Sequence, residues 1–229
     1  DSNVATAQTS RDQYVWIPVD NSSTITWANE TEDTTLLDDG TGTYVDETKE
    51  ATLTLTADFN AMKASVQTYG GFYISRYELG CILNQGGTAV AEASTSRKGQ
   101  VVYNAYNSGT DQSGACWGVN TWYGLYDVAH QDISDGTNTV LKGHMIFGSE
   151  YDQVISFIGT EATQTHQTTS GRIPTNPQQS GQTLDVMNNI HDLEGNLCEW
   201  TAQVENPSYR VRRGACYGNA AYGDFFPAS

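Results

Sequence analysis

Few residue types in this chain can do covalent or metal chemistry, and they are widely spaced. Four cysteines, Cys81, Cys116, Cys198 and Cys216, stand far apart in the 229 residues. None forms a Cys-x-x-Cys pair, which argues against a zinc ribbon and a thioredoxin-type dithiol. Four cysteines allow three disulfide pairings, and spacing does not choose among them. The simplest expectation is that they serve as small buried hydrophobes. Cys216 follows Arg210, Arg212 and Arg213, a positive neighbourhood of the kind that favours a thiolate. The four histidines, His130, His144, His166 and His191, show no ligand spacing. Each is expected at the surface or in a hydrogen bond.

Charge narrows the partners. There are 27 acidic and 11 basic residues, for a net charge of −16. A phosphate-backbone binder needs a basic surface, so nucleic acid is excluded as a partner class. An anionic membrane would repel the chain. No run approaches the ~18 apolar residues of a bilayer span, so no membrane insertion is expected. Residues 1–50 alone carry 11 of the acidic residues and 2 of the basic ones. Such a concentration is most simply a solvated face. Low lysine, frequent Thr, Gly, Asn and Tyr, and a first residue, Asp1, that is not Met lead us to expect a processed or excised, extracellular domain.

The elements that must position these groups read as α+β, because helices and strands mix without regular alternation. Residues 1–13 are expected to be a linker and 14–229 one domain. Tyr14 to Val19 reads as a strand buried on both faces. Residues 21–50 form an acidic insertion, with a hairpin expected near Asp39-Gly40. Ala51 to Thr56 alternates as a strand or leads into a helix. Asp58 is expected to cap that helix, which runs to about Gln67 with Phe59, Met62 and Val66 on one face; Gly70-Gly71 stops it. Phe72 to Glu78 reads as a strand, and 80–120 as irregular loop. Thr121 is expected to cap a second helix bearing Trp122, Leu125, Val128 and Ala129. Ser149 with Asp152 resembles a capping box, opening a third helix with Val154, Ile155 and Ile158 inward. A polar loop covers 159–185, a turn-rich segment 188–200, and a last strand Tyr209 to Arg213.

Three stretches occur in a telling order: Gly71-Phe72-Tyr73-Ile74-Ser75-Arg76-Tyr77-Glu78, then Asn189 to Thr201 with Gly195-Asn196-Leu197-Cys198-Glu199-Trp200 inside it, then Arg210-Val211-Arg212-Arg213-Gly214-Ala215-Cys216. Together they resemble the formylglycine-generating-enzyme (sulfatase-modifying factor) family, whose fold is a variant of the C-type lectin. The similarity covers most of the chain from about Tyr14. It implies that Gly195, Asn196, Glu199, Trp200, Arg213 and Gly214 are scaffold. Gly195 would make a tight turn, Asn196 would bond neighbouring backbone, Glu199 would accept from amides or from Arg213, and Trp200 would fill the core. The family's enzymes need a cysteine pair just after the Arg-Gly-Gly-Ser strand. Here Cys216 takes the serine position and no second cysteine follows, so the redox pair is not matched. The family also closes with a Gly-Phe-Arg strand, which is absent up to Ser229, so the expectation is either a longer molecule or a fold completed by something else; an unpaired sheet edge would be an association liability. Members of this fold often hold structural calcium. The candidate oxygens are those of Asp185, Asn189, Asp192 and Glu194, with Asn188 and Asn196 nearby; no EF-hand loop is present.

The closest flavour is that of the variable proteins of diversity-generating retroelements, which use this fold for display. Their varied positions follow the Arg-Gly-Gly-Ser strand and are rich in Tyr, Asn, Ser, Asp, Ala, Gly and Phe, as is 214–229 here. The resemblance implies a non-enzymatic receptor-binding domain on a phage particle or bacterial surface. Tyr217, Asn219, Ala220, Ala221, Tyr222 and Asp224 would make the binding face, flanked by Trp117 and Trp122. The partner would be a protein or glycan receptor on a cell surface, with a homo-oligomer or larger assembly behind it. Two alternatives remain: a structural virion or fibre module making subunit contacts, and a formylglycine-generating-type oxidase.

Overall fold

Leu55, Phe59, Met62 and Val66 recur at the spacing of one helix face, and all four are buried. They drive helix α1 (Leu55–Tyr69) onto the core. The helix starts three residues before Asp58, because Leu55 extends the apolar stripe. Asp58 therefore sits in the first turn instead of at the cap, where its charge still favours the positive helix end. Gly70 takes a left-handed φ of 77° and its N–H closes on the Val66 carbonyl, ending the helix.

The structure is a computed structural model. It describes residues 7–9, 11–20, 22, 25, 44–45, 52–53, 55–83, 89–99, 101–103, 115–116, 125–126, 129–130, 132–134, 139–159, 177–193, 195–206, 209–214 and 217. The architecture is mixed α and β, with small, mainly antiparallel sheets. Strand β1 (Tyr14–Pro18) is followed by the short pair β2 (Tyr44–Val45) and β3 (Thr52–Leu53), which lead into α1. After α1, β4 (Gly71–Ser75) returns to pair antiparallel with β1, Trp16 opposite Tyr73 and Ile17 opposite Phe72. Ile17 faces the core at 0% exposure, whereas Trp16 is 37% exposed. The ribbon is thus open on one face, which corrects the reading of β1 as buried on both. The hairpin expected near Asp39-Gly40 lies outside the described residues.

The segment expected to be irregular loop instead carries a four-stranded sheet. Its strands are β5 (Gly80–Leu83), β6 (Ala89–Thr95), β7 (Val101–Tyr103) and β8 (Ala115–Cys116), ordered β6-β5-β7-β8. Only β7 and β8 run parallel. Its runs are short and separated by Gly, Ser and Asn, and β5 and β6 shift register between Cys81 and Ile82. Periodicity cannot build up over such lengths, which is why the sequence hid the sheet. Strands β9 (Asp132–Ser134) and β10 (Thr139–Lys142) form another hairpin.

Helix α2 (Gly148–Ile158) places Val154 and Ile158 in the core, as its pattern predicts. Its start differs from the expected Ser149/Asp152 box. The cap residue is Phe147, whose side chain holds no oxygen, and the buried Glu150 reaches back to accept the Phe147 N–H at 3.0 Å. Asp152 is left for another task. The proposed 121–129 helix is described only at Leu125, Tyr126 and Ala129, and Leu125 and Ala129 pack on the core. Thr121, Trp122 and Val128 lie outside the described residues.

The last elements are a tight hairpin, β11 (Val186–Met187) with β12 (Ile190–His191), and a longer one, β13 (Glu199–Asn206) with β14 (Tyr209–Arg213). Two apolar clusters result. One joins Leu55, Phe59, Met62 and Val66 to Tyr126, Met145, Phe147 and Ala202; the other joins Ile17, Tyr151, Val154 and Ile158 to Met187, Ile190 and Leu193. Phe72 packs against both and makes them continuous. Each fully buried large side chain contributes about 1.5–3 kcal/mol.

Candidate functional site

The three stretches noted in the sequence converge on one buried polar knot. Asn188 and Asn189, both with positive φ, form the two-residue turn of the β11–β12 hairpin. That geometry suits Asn and matches strand twist. The chain leaves β12 through Asp192, also at positive φ (63°) and fully buried. The Asp192 carboxylate accepts from the Gly181 N–H and the Thr183 hydroxyl. Asp185, equally buried, accepts the Gly195 N–H at 3.1 Å. Glu78, at the end of the first conspicuous stretch, accepts the Leu197 N–H at 2.9 Å and the Asn196 side-chain amide. Asn196 in turn accepts from the Gln178 N–H at 2.7 Å. These carboxylates thus cap loop amides that have no sheet or helix to satisfy them. Asn196, itself at φ 105°, thus bonds the distant Gln178 backbone and Glu78 where neighbouring backbone was expected.

Burial and mutual repulsion act on these acids together. Burial first, then the charge of Asp192, pushes Glu78 well above the usual carboxylate range, against the pull of its donors. Burial and then Glu78 do the same to Glu199. Burial raises Asp192 to about 6, despite the bonds from Thr183 and Gly181. An acid with a raised folded-state pKa favours folding below its unfolded pKa and loses that contribution as pH rises through the folded one. His144 acts in the same direction. Burial alone would lower it, but Glu150 and then Asp58 outweigh that and hold its pKa above the usual value. His191 opposes them at the acid end, since burial, Arg76 and Lys98 lower it to about 4. The expected outcome is a melting temperature that falls between about pH 5.5 and pH 8, and a Glu199→Gln variant with a flatter profile. Thermal melts across that range check this; identical slopes for both proteins would refute it.

The β13–β14 hairpin carries the rest of the motif. Arg213 is buried, with 2% exposure. It donates to Gln203 Oε1 at 2.8 Å, lies 3.7 Å from Asp152, and its guanidinium stands 5.8 Å from the Tyr151 ring centre. Asp152, the acid expected in a capping box, is therefore the counter-ion of Arg213. Glu199 was expected to accept from amides or from Arg213. Its Oε2 is buried without a hydrogen-bond partner and faces Gly214. Trp200 packs on the first core cluster under Arg212, whose guanidinium is 5.3 Å from the ring centre. Gly214 turns out of β14 at φ 71°. Three residues on, the Tyr217 N–H donates to the Asn196 carbonyl at 2.8 Å. The segment after β14 is thereby fastened to the polar knot at its root.

Of the residues expected to bind a ligand, Tyr217 is described and half-buried. Asn219, Ala220, Ala221, Tyr222, Asp224, Trp117 and Trp122 lie outside the described residues. So does Glu194 of the calcium set; Asn189 is exposed at its hairpin turn, and both Asp192 oxygens and one of Asp185 accept protein donors. Among the described residues no group of three or more His, Cys, Asp and Glu could hold a metal ion. The described members do not fit a calcium cage. Cys198 is disulfide-bonded, which corrects the expectation of a small buried hydrophobe.

A second polar cluster escaped the sequence. Asp58 of α1 accepts the Tyr126 hydroxyl, and His130 Nε2 lies 3.2 Å from the same carboxylate oxygen. His130 Nδ1 lies 2.7 Å from the Tyr126 carbonyl. Both ring nitrogens of His130 thus face oxygen atoms. His144 Nε2 lies 2.8 Å from Glu150, the acid that caps α2. The only sequence hint was the four-residue step from Tyr126 to His130. Comparison of the chain with protein-family models, characterised proteins and solved structures finds no match.

Proposed function

We propose that this chain is a non-enzymatic binding domain of C-type-lectin-like fold, displayed outside the cell on a bacterial surface or phage particle. The observation that carries this reading is the fastening of Tyr217 to Asn196. A display scaffold needs a rigid base from which a tolerant segment departs. Here the base is a knot of buried carboxylates and a buried arginine, and the segment that follows is rich in Tyr, Asn, Ala and Gly. The disulfide at Cys198, two residues from Asn196, agrees with an oxidising compartment. The partner is a protein or glycan receptor recognised by tyrosine contacts with a polar rim. No described helix is long and apolar enough to cross a membrane.

The test is randomisation of Asn219, Ala220, Ala221, Tyr222 and Asp224 together, read by thermal melts of about a dozen clones and by binding to a glycan array and to whole bacterial cells. If the segment is a binding surface, most clones are expected to melt within about 3 °C of the parent, since surface substitutions usually stay near ±0.5 kcal/mol. Binding to whichever probe the parent recognises is expected to vary widely among them. Clones that mostly fail to fold would mark the segment as structural and favour the fibre-module reading. Population sequencing of codons 214–229 gives a separate check: substitutions concentrated at adenine-containing codons favour diversification, and a uniform segment argues against it.

A further inference from the structure

Among the described residues, not every cation of this strongly acidic protein has an acid opposite it. Arg97 is paired with Asp12 at 3.0 Å and Arg213 with Asp152. Arg76 and Lys98 form no ion pair with a described residue. Arg76 follows β4 and spends one guanidinium nitrogen on the neutral Gln13 side chain, at 2.9 Å. Its Nε is buried and has no hydrogen-bond partner. Two more buried polar atoms beside it are equally unmet: the Tyr77 hydroxyl and His191 Nδ1.

These groups belong to one place. The Arg76 guanidinium lies 5.6 Å from the Tyr77 ring centre, and the Tyr77 and His191 rings are 4.7 Å apart. The His191 N–H donates to the Arg76 carbonyl at 2.9 Å. Gly181 lets the Lys98 stem and the Tyr77 ring meet: a Cβ there would lie 2.7 Å from the ring and 3.3 Å from Lys98 Cγ. The nearby acids are engaged elsewhere. Asp12 serves Arg97 and the Ser96 N–H, Asp192 serves Gly181 and Thr183, and Asp185 serves Gly195.

A buried arginine N–H, a phenol hydroxyl and an imidazole nitrogen, all unmet, each carry a desolvation penalty unless something answers them. Water would satisfy the hydrogen bonds but leave two cations uncompensated. One oxyanion would answer both needs, because each of the three atoms can donate and charge-assisted bonds are the strong ones. We propose that Arg76, Tyr77, Lys98 and His191 form a binding site for a small oxyanion, either a carboxylate group or a tetrahedral anion of the sulfate type. The site lies between the end of β4, the 96–99 turn, the 180–181 turn and β12. The proposal does not rest on the role proposed for the segment after β14.

The experiment titrates the intact chain with sodium sulfate and, separately, sodium acetate, with chloride holding the ionic strength constant. Nitrogen–proton NMR follows the Arg76 Nε–H and the His191 ring. Saturable shifts at both groups are expected with at least one of the two anions, and the one that saturates first identifies the ligand chemistry. Tyr77→Phe is expected to weaken that binding about 5–10-fold, the worth of one charge-assisted hydrogen bond. Should Tyr77→Phe fail to fold, Lys98→Ala on the partly exposed turn is expected to weaken it by a similar factor. Shifts that grow linearly and equally for sulfate, acetate and chloride would overturn the proposal. So would unchanged affinity in a folded variant.

Discussion

Alanine at position 214 is expected to destabilise the domain by about 3–5 kcal/mol, enough to unfold much of it at 37 °C. Two effects add. Gly214 sits at φ 71°, where any L side chain costs roughly 1–2 kcal/mol. A Cβ there would also run into Glu199 Oε2 and lie 2.6 Å from the Leu193 carbonyl. The Leu193 carbonyl is backbone of the capped loop and cannot move aside without distorting it. Gly70 provides the control. Its φ is 77°, nearly the same, yet nothing lies within 4 Å of its would-be Cβ. Gly70→Ala should therefore cost only the backbone share, about 1–2 kcal/mol. Urea melts of the two variants check the difference; equal losses would mean that the Glu199–Gly214 contact carries no energy.

Removing the buried cation is the second large change. Arg213→Ala is expected to cost about 3–5 kcal/mol, because it breaks a buried pair and opens a cavity beside Tyr151. Asp152 would lose the guanidinium that opposes its desolvation, and Gln203 its donor. Arg213→Lys should recover only part of the loss, since an ammonium cannot span Gln203, Asp152 and the Tyr151 face at once. The double variant Arg213→Met with Asp152→Asn should be markedly more stable than Arg213→Ala, because it fills the volume and leaves no unpaired charge. Guanidinium-free melts at fixed pH read all three. A double variant as unstable as the single one would show that the pair itself is not the source of the effect.

How much of this was legible in the residues depends on run length. Phe59, Met62 and Val66 declared α1, and Val154 with Ile158 declared α2, because a helix repeats its pattern over several turns. The strands Tyr14–Pro18 and Tyr209–Arg213 were equally plain. The sheet from Gly80 to Cys116 was not, since its strands are two to seven residues long and one is bulged. Helix starts were misplaced where a side chain had a distant partner. Asp58 looked like a cap but serves Tyr126, 68 residues away, and Asp152 looked like half of a box but serves Arg213. At the site, the Gly195–Trp200 and Arg213–Gly214 stretches fall in and beside the polar knot. Nothing local revealed that Glu78 completes it, that Arg76, Tyr77 and His191 share a place, or that Cys198 is bonded. Such pairings are tertiary facts, and single-residue preferences carry no trace of them.

The link from Glu78 to Asn196 and Leu197 has a consequence for how the chain comes into being. Its donors lie 118 and 119 residues downstream of the acid they satisfy. During synthesis, at roughly 5–20 residues per second, Glu78 emerges many seconds before anything can meet it. The first half of the nascent chain therefore has no finished interior to settle into until the ribosome has passed Trp200. Closing so wide a loop places folding among the slow, non-local topologies. An interrupted translation product that stops short of Gly195 would leave Glu78 in water and its capped loop unmade. Such a product would be material for proteases and chaperones instead of a smaller working domain.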